Sequence, residues 1–244
     1  MTDVVMTTPS RPDGPPRMSL LARVIGVIFS PRETFAAVVA RPVWLGAIAI
    51  AVLIAAVAQF FLLSTEVGQQ LAIDQQVAFA EAFGQEISDE QYAQLEQRTE
   101  QIARYTTPVA TIFFTPLFLL VSAGILHVIF GLIGGGNGTF KQVYAISAHS
   151  AIISSLQLVF TTIVTIAAGR AAGANFAVFA PMLDDTTLVY KFLSYIDFFY
   201  IWSTFITAAG LAVLYKRRTG PIAMVLFSIY VVVALLIAVV TSGS

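Results

Sequence analysis

Residues 43–64 form a run dominated by Ala, Ile, Val and Leu in which Gln59 is the interior polar residue. Four further stretches, 108–133, 143–168, 196–215 and 221–240, are comparably apolar and long. A helix needs about 20 such residues to cross a hydrocarbon core of ~30 Å. The rest of the chain offers no way to hide these stretches in water. It is 57% hydrophobic and only 11% charged, where a soluble domain carries roughly 25% charged residues. The expected fold class is therefore all-α: a polytopic membrane protein with five transmembrane helices, and the lipid bilayer is its first partner.

Composition also removes whole classes of function. Thirteen Lys and Arg balance 14 Asp and Glu to a net charge of −1, which leaves no nucleic-acid footprint. Cysteine is absent and histidine occurs twice, so disulfides, thiolate metal sites and multi-histidine centres are excluded. No cofactor and no catalytic residues are expected.

Residues 1–17 hold Pro9, Pro12, Pro15 and Pro16 among polar residues and read as a disordered tail. No apolar run of signal-peptide type precedes Met18. Residues 18–42 follow as two helices too short to cross, expected to lie in the membrane interface with Arg23, Arg32 and Arg41 toward headgroups. Ser30-Pro31-Arg32-Glu33 reads as a helix start, with Ser30 capping, Pro31 at the first position and Glu33 closing a capping box. Cations set the orientation. Arg11, Arg17, Arg23, Arg32, Arg41, Lys141, Lys216, Arg217 and Arg218 fall on one side, against Arg98, Arg104, Arg170 and Lys191 on the other. The first side is cytoplasmic by the positive-inside rule, with the N-terminus in and the C-terminus out.

The connection 65–107 is polar, acidic and rich in Gln. Ser88 with Gln91 makes a capping box just after Gly84, which supplies a turn. Tyr92, Leu95, Thr99, Ile102 and Thr106 step at helical spacing. The expectation is an extracytoplasmic helical hairpin. Its acids, from Glu66 through Asp74, Glu81, Glu86, Asp89, Glu90 and Glu96 to Glu100, make it either a solvated stalk or a docking surface for a membrane-protein partner.

Between spans two and three stands Gly134-Gly135-Gly136-Asn137-Gly138-Thr139-Phe140-Lys141-Gln142. The Gly-Lys-Ser/Thr spacing of a phosphate loop is missing, so Thr139 and Gln142 read as a capping box and the glycines as turn formers. A lipid-phosphate contact at Lys141 is the alternative. Across this turn His127 and His149 fall at similar depth, roughly 9 Å in. They are candidates for a proton or ligand role, set against plain interhelical hydrogen bonds. Span three, with Ser147, Ser150, Ser154, Ser155 and Gln157, is expected inside the bundle, bonding across helices. Asp197, ahead of an aromatic belt, is expected to cap its helix or to pair with Lys191 or Arg170. Pro116 predicts a kink near Ile112.

Three pieces resemble the Yip-domain family of five-span membrane proteins. They are Ser30-Pro31-Arg32-Glu33-Thr34-Phe35, Gly135-Gly136-Asn137-Gly138-Thr139-Phe140-Lys141-Gln142, and Asp197-Phe198-Phe199-Tyr200-Ile201-Trp202 with the downstream Ala209-Gly210-Leu211. The Gln-rich connection is similar to that of bacterial members, and the likeness covers about residues 20–240. The resemblance implies a five-span fold in the bacterial inner membrane. Eukaryotic members bind Rab-type GTPases through a long cytosolic tail and an Asp-Leu-Tyr-Gly-Pro motif, and this chain has neither. The resulting functional reading is a non-enzymatic adaptor or membrane-organising factor. The alternative is a small transporter or channel, built as a homo-oligomer, that uses His127, His149 and Asp197. No internal repeat of carrier type occurs, and hydrolase motifs are absent.

Overall fold

The computed structural model describes residues 18–242, so the tail 1–17 lies outside the described residues. Helices occur in the order α1 (Leu20–Phe29), α2 (Pro31–Ala40), α3 (Leu45–Leu63), α4 (Glu66–Ala82), α5 (Asp89–Arg98) and α6 (Arg104–Leu126). They continue with α7 (Phe140–Ala168), α8 (Leu188–Tyr195), α9 (Phe198–Leu214) and α10 (Thr219–Ser242). Four helical stretches among the described residues are long and apolar enough to cross a membrane: Leu45–Leu63, Asp89–Ile133, Phe140–Ala168 and Thr219–Thr241. The remaining expected span, α9, is a helix of 17 residues, a rise of about 26 Å, and packs between α7 and α10. Fold class and membrane character follow the sequence expectation.

α7 is the axis of the bundle. It packs against α3, α6 and α9 and meets α1 and α2, and every residue from 143 to 150 is buried. Ala145 and Ala148 are fully buried on this helix; small residues there let neighbouring backbones approach, the usual means of helix packing without a hydrophobic drive. Its polar residues bond across helices less than expected. Thr162 Oγ1 donates to Ala58 O of α3 at 3.5 Å, but Ser155 Oγ donates to Ile152 O of its own helix. Ser147 and Ser150 hydroxyls find no protein partner. The firmer polar link between spans joins Thr111 Oγ1 to Gln59 Oε1 at 2.7 Å, which explains the one polar residue inside span one.

The connection between α1 and α2 departs from expectation. Ser30 makes no side-chain cap and has φ −141° and ψ 59°. Its N–H instead closes α1 on Gly26 O at 2.7 Å. As the single link between two helices it cannot also adopt the extended geometry that aims a capping hydroxyl at N2 or N3. Pro31 does open α2. The two helices meet at Gly26, where a Cβ would fall 2.2 Å from Thr34 Oγ1. Phe35 and Val38 of α2 and Val27 of α1 are fully buried, while Leu21, Ile25 and Phe29 leave an exposed apolar stripe on α1.

Pro108 and Pro116 both lie inside an unbroken α6. Two π-helical segments, Thr99–Ala103 and His127–Ile133, flank α6 in the same helical rod. The first lies directly before Arg104, whose carbonyl Pro108 cannot bond, so the widened turn sits where the ladder is already interrupted.

Candidate functional site

At the end of the bundle that holds the Gly-rich turn, Gln142 ties three elements together. Its Oε1 accepts from Thr139 N at 2.9 Å and Thr139 Oγ1 accepts from Gln142 N, completing the expected capping box at the start of α7. Its Nε2 donates to Val39 O at 3.0 Å, satisfying one of the orphan carbonyls at the end of α2. Lys141, in the first turn of α7, is exposed, and its side chain makes no hydrogen bond.

The glycines of this turn have a reason beyond conformational freedom. Gly135 is the one at positive φ, +67°. Gly136 and Gly138 instead clear room for a ring: a Cβ would fall 2.2 Å from Tyr215 Cδ1 at Gly136 and 2.8 Å from Tyr215 Cε1 at Gly138. Tyr215, the residue that follows α9, is thus cradled by the turn, and Arg217 Nη2 locks the arrangement by donating to Gly134 O at 2.5 Å.

His127 begins the second π-helical segment and lies edge-on to Phe140, ring centroids 6.1 Å apart. A Cβ on Gly131 would lie 3.0 Å from His127 Nδ1 and 3.2 Å from Tyr215 Oη. Both of those polar atoms are buried without a protein partner. His149 is fully buried on α7, its Nδ1 2.7 Å from Ala145 O and its Nε2 without a partner. The two histidines do not share a depth. His127 is level with Phe140, and His149 is nine residues further along α7, a rise of about 13 Å. The sequence count failed because it assumed that both helices end at one level, whereas the rod runs on past the start of α7, from His127 beside Phe140 to Ile133. Arg23 of α1 donates through Nη1 to Val43 O at 3.1 Å.

At the opposite, hairpin end Asp197 is 7% exposed and caps α9, accepting from Phe199 N at 2.7 Å and Tyr200 N at 3.4 Å. Its own N–H donates to Tyr230 Oη of α10 at 3.1 Å, and that hydroxyl donates to Tyr195 O at 2.7 Å. Backbone pairs Phe176 N to Ile196 O and Phe198 N to Ala174 O fasten the preceding loop to the same point. Lys191 is engaged elsewhere, donating to Thr241 O near the end of α10, where a cation suits the helix dipole.

The hairpin itself turns at Gly84, φ +73°, and the Ser88–Gln91 capping box is complete. Gln70 Nε2 donates to Tyr92 Oη at 3.0 Å and links its two arms. All eight of its carboxylates, from Glu66 to Glu100, are exposed. Sequence reasoning missed Tyr215, and it set Arg23 toward headgroups where its Nη1 instead donates to Val43 O. The signal for Tyr215 was available, since a glycine cluster marks a close approach as often as a turn.

A helical bundle wrapped round one buried polar helix, with apolar spans and polar end caps, defines an all-α polytopic membrane protein. The family model for the Yip1 domain matches residues 25–241, and the chain belongs to that family. No curated protein and no solved structure matches it.

Proposed function

We propose that this Yip-family protein is a non-enzymatic adaptor or membrane-organising factor whose partner surface is the acidic hairpin. One observation carries the reading: the eight hairpin carboxylates are all exposed, and Asp74, which accepts from Gln70 Nε2, is the one among them with a side-chain hydrogen bond to another side chain, so most of the charge is left to the surface. The resemblance to bacterial members and the cation distribution support five spans in the bacterial inner membrane, with the Gly-rich turn cytoplasmic and the hairpin extracytoplasmic. Of the candidate polar residues, Asp197 is occupied structurally, as the cap of α9.

Affinity capture from native membranes in mild detergent tests the proposal, comparing the full chain with a variant whose eight hairpin acids are replaced by Gln or Asn. A stoichiometric membrane-protein partner lost from the neutralised variant is the expected result. Equal recovery with both chains, or recovery of the chain and lipid alone, overturns it. The transport alternative is favoured by the unpartnered His127 and His149 nitrogens and predicts proteoliposome flux that fails on His127→Ala or His149→Ala.

A further inference from the structure

The hairpin arms enclose a cleft of about 780 Å³ lined by Phe79, Leu95, Arg98, Thr99, Ile102 and their neighbours. A second cavity of about 350 Å³ continues below it between the spans, lined by Gln59, Leu62, Leu71, Leu158 and Thr161. Ala72, Gln75 and Thr107 line both, so the two adjoin. One end of this path therefore lies among hairpin residues and the other among residues of the membrane-crossing α3 and α7.

We propose that this path is a binding site for one anionic phospholipid drawn from the leaflet at the hairpin end. Its headgroup would seat at Arg98 and an acyl chain would descend past Gln75 between the spans. Three observations select this occupant. A ligand that reaches from the hairpin to membrane depth must be amphiphilic, since the lower lining is mostly aliphatic and the upper one carries charge. The only cations between residues 65 and 107 are Arg98 and Arg104; Arg98 lines the cleft, and no carboxylate does. Thr99 is 4% exposed, lines the cleft, and its hydroxyl makes no hydrogen bond within the protein. It belongs to the π-helical segment Thr99–Ala103, a distortion of the kind that recurs at functional sites.

This site is independent of the partner surface, because none of the eight carboxylates lines the cleft. It is tested on the full chain in phosphatidylcholine vesicles doped with phosphatidylglycerol carrying a diazirine near the acyl terminus. Irradiation followed by peptide mapping is expected to place adducts on Leu71, Leu158 or Thr161. Ala72→Trp, which fills the junction, should abolish them. The open apolar groove formed by Leu53, Val57 and Ile163 should label equally in both chains, reporting ordinary bilayer contact and an intact bundle. Arg98→Gln, which leaves the shape unchanged, should lower the preference for phosphatidylglycerol over a phosphatidylcholine probe about tenfold, the scale of a charge-assisted contact. Adducts confined to the groove, adducts in the cleft that survive Ala72→Trp, or an unchanged headgroup preference in Arg98→Gln would each overturn the proposal. A protein segment occupying the cleft would give the first of these results.

Discussion

The Phe35 ring of α2 lies against the backbone of Gly210 in α9, where a Cβ would stand 3.2 Å from both Cδ atoms of the ring and 2.5 Å from Ile146 Cγ2 of α7. Phe35 and Ile146 are both fully buried. Two of the short motifs that resemble the Yip family, separated by more than half the chain, thus meet in one three-helix contact. Nothing in their spacing shows this; it comes from the fold bringing α2 against α9.

Gly210→Ala should therefore overpack this contact, at a cost of about 1–3 kcal/mol. Thermal unfolding in detergent would show the lowered midpoint. Ile146→Ala removes the obstructing Cγ2 and should make the double variant less destabilised than the sum of the two single changes. Strict additivity would mean that the close approach is not what requires glycine.

The Gly-rich turn separates two roles that glycine can play. Gly135 has open space around its Cβ position but a φ of +67°, whereas Gly136 would meet Tyr215 and, at 2.7 Å, Phe130 O. Asparagine tolerates the left-handed region, so Gly135→Asn should stay within about 0.5 kcal/mol of the parent, as a benign surface change does. Gly136→Asn should cost several times more. Comparable midpoints for the two variants in chemical unfolding would refute the cradle.

Local rules explain which parts of this structure were legible beforehand. Spans are written in contiguous apolar residues and the two formed capping boxes in four-residue patterns, so both follow from sequence alone. Ser30 misled because the capping rule assumes a free chain before the cap, and here that residue also closes α1. His127 and His149 misled because a depth count assumes that the two helices end level at the turn, and here the first runs on past the start of α7. The Tyr215 cradle and the path between the hairpin arms depend on distant segments meeting, and a single sequence holds no record of those distances.

Asp184 gives a pH prediction outside the membrane. The Thr186 N–H and hydroxyl both donate to its Oδ1, at 2.9 and 2.7 Å, and hold its carboxyl below the usual range. A depressed folded value means that the turn's contribution is present above the unfolded carboxylate pKa of ~3.9. It is lost as pH falls through the lower folded value. Carboxyl-carbon NMR of the labelled chain should show the low midpoint. Thr186→Val removes the hydroxyl but keeps the amide, so it should raise that midpoint part of the way. No movement in the variant would assign the shift to another cause.

Asp197 distinguishes a structural from a transport use of the one buried carboxylate among the described residues. As a cap it needs an oxygen that accepts from Phe199 N and Tyr200 N, and the side-chain oxygen of Asn supplies one. Asp197→Ala should cost about 1 kcal/mol, typical of a lost N-cap, and loosen the Tyr230 and Tyr195 bonds built on the same turn. Asp197→Asn should retain most of that stability. A transport role would need an ionisable group instead, and would make Asn as damaging as Ala in proteoliposome flux. Parallel melting and flux measurements on the two variants decide between them. Loss of flux in a fully stable Asp197→Asn protein would overturn the purely structural assignment and return this carboxylate to the pathway of a transported ion.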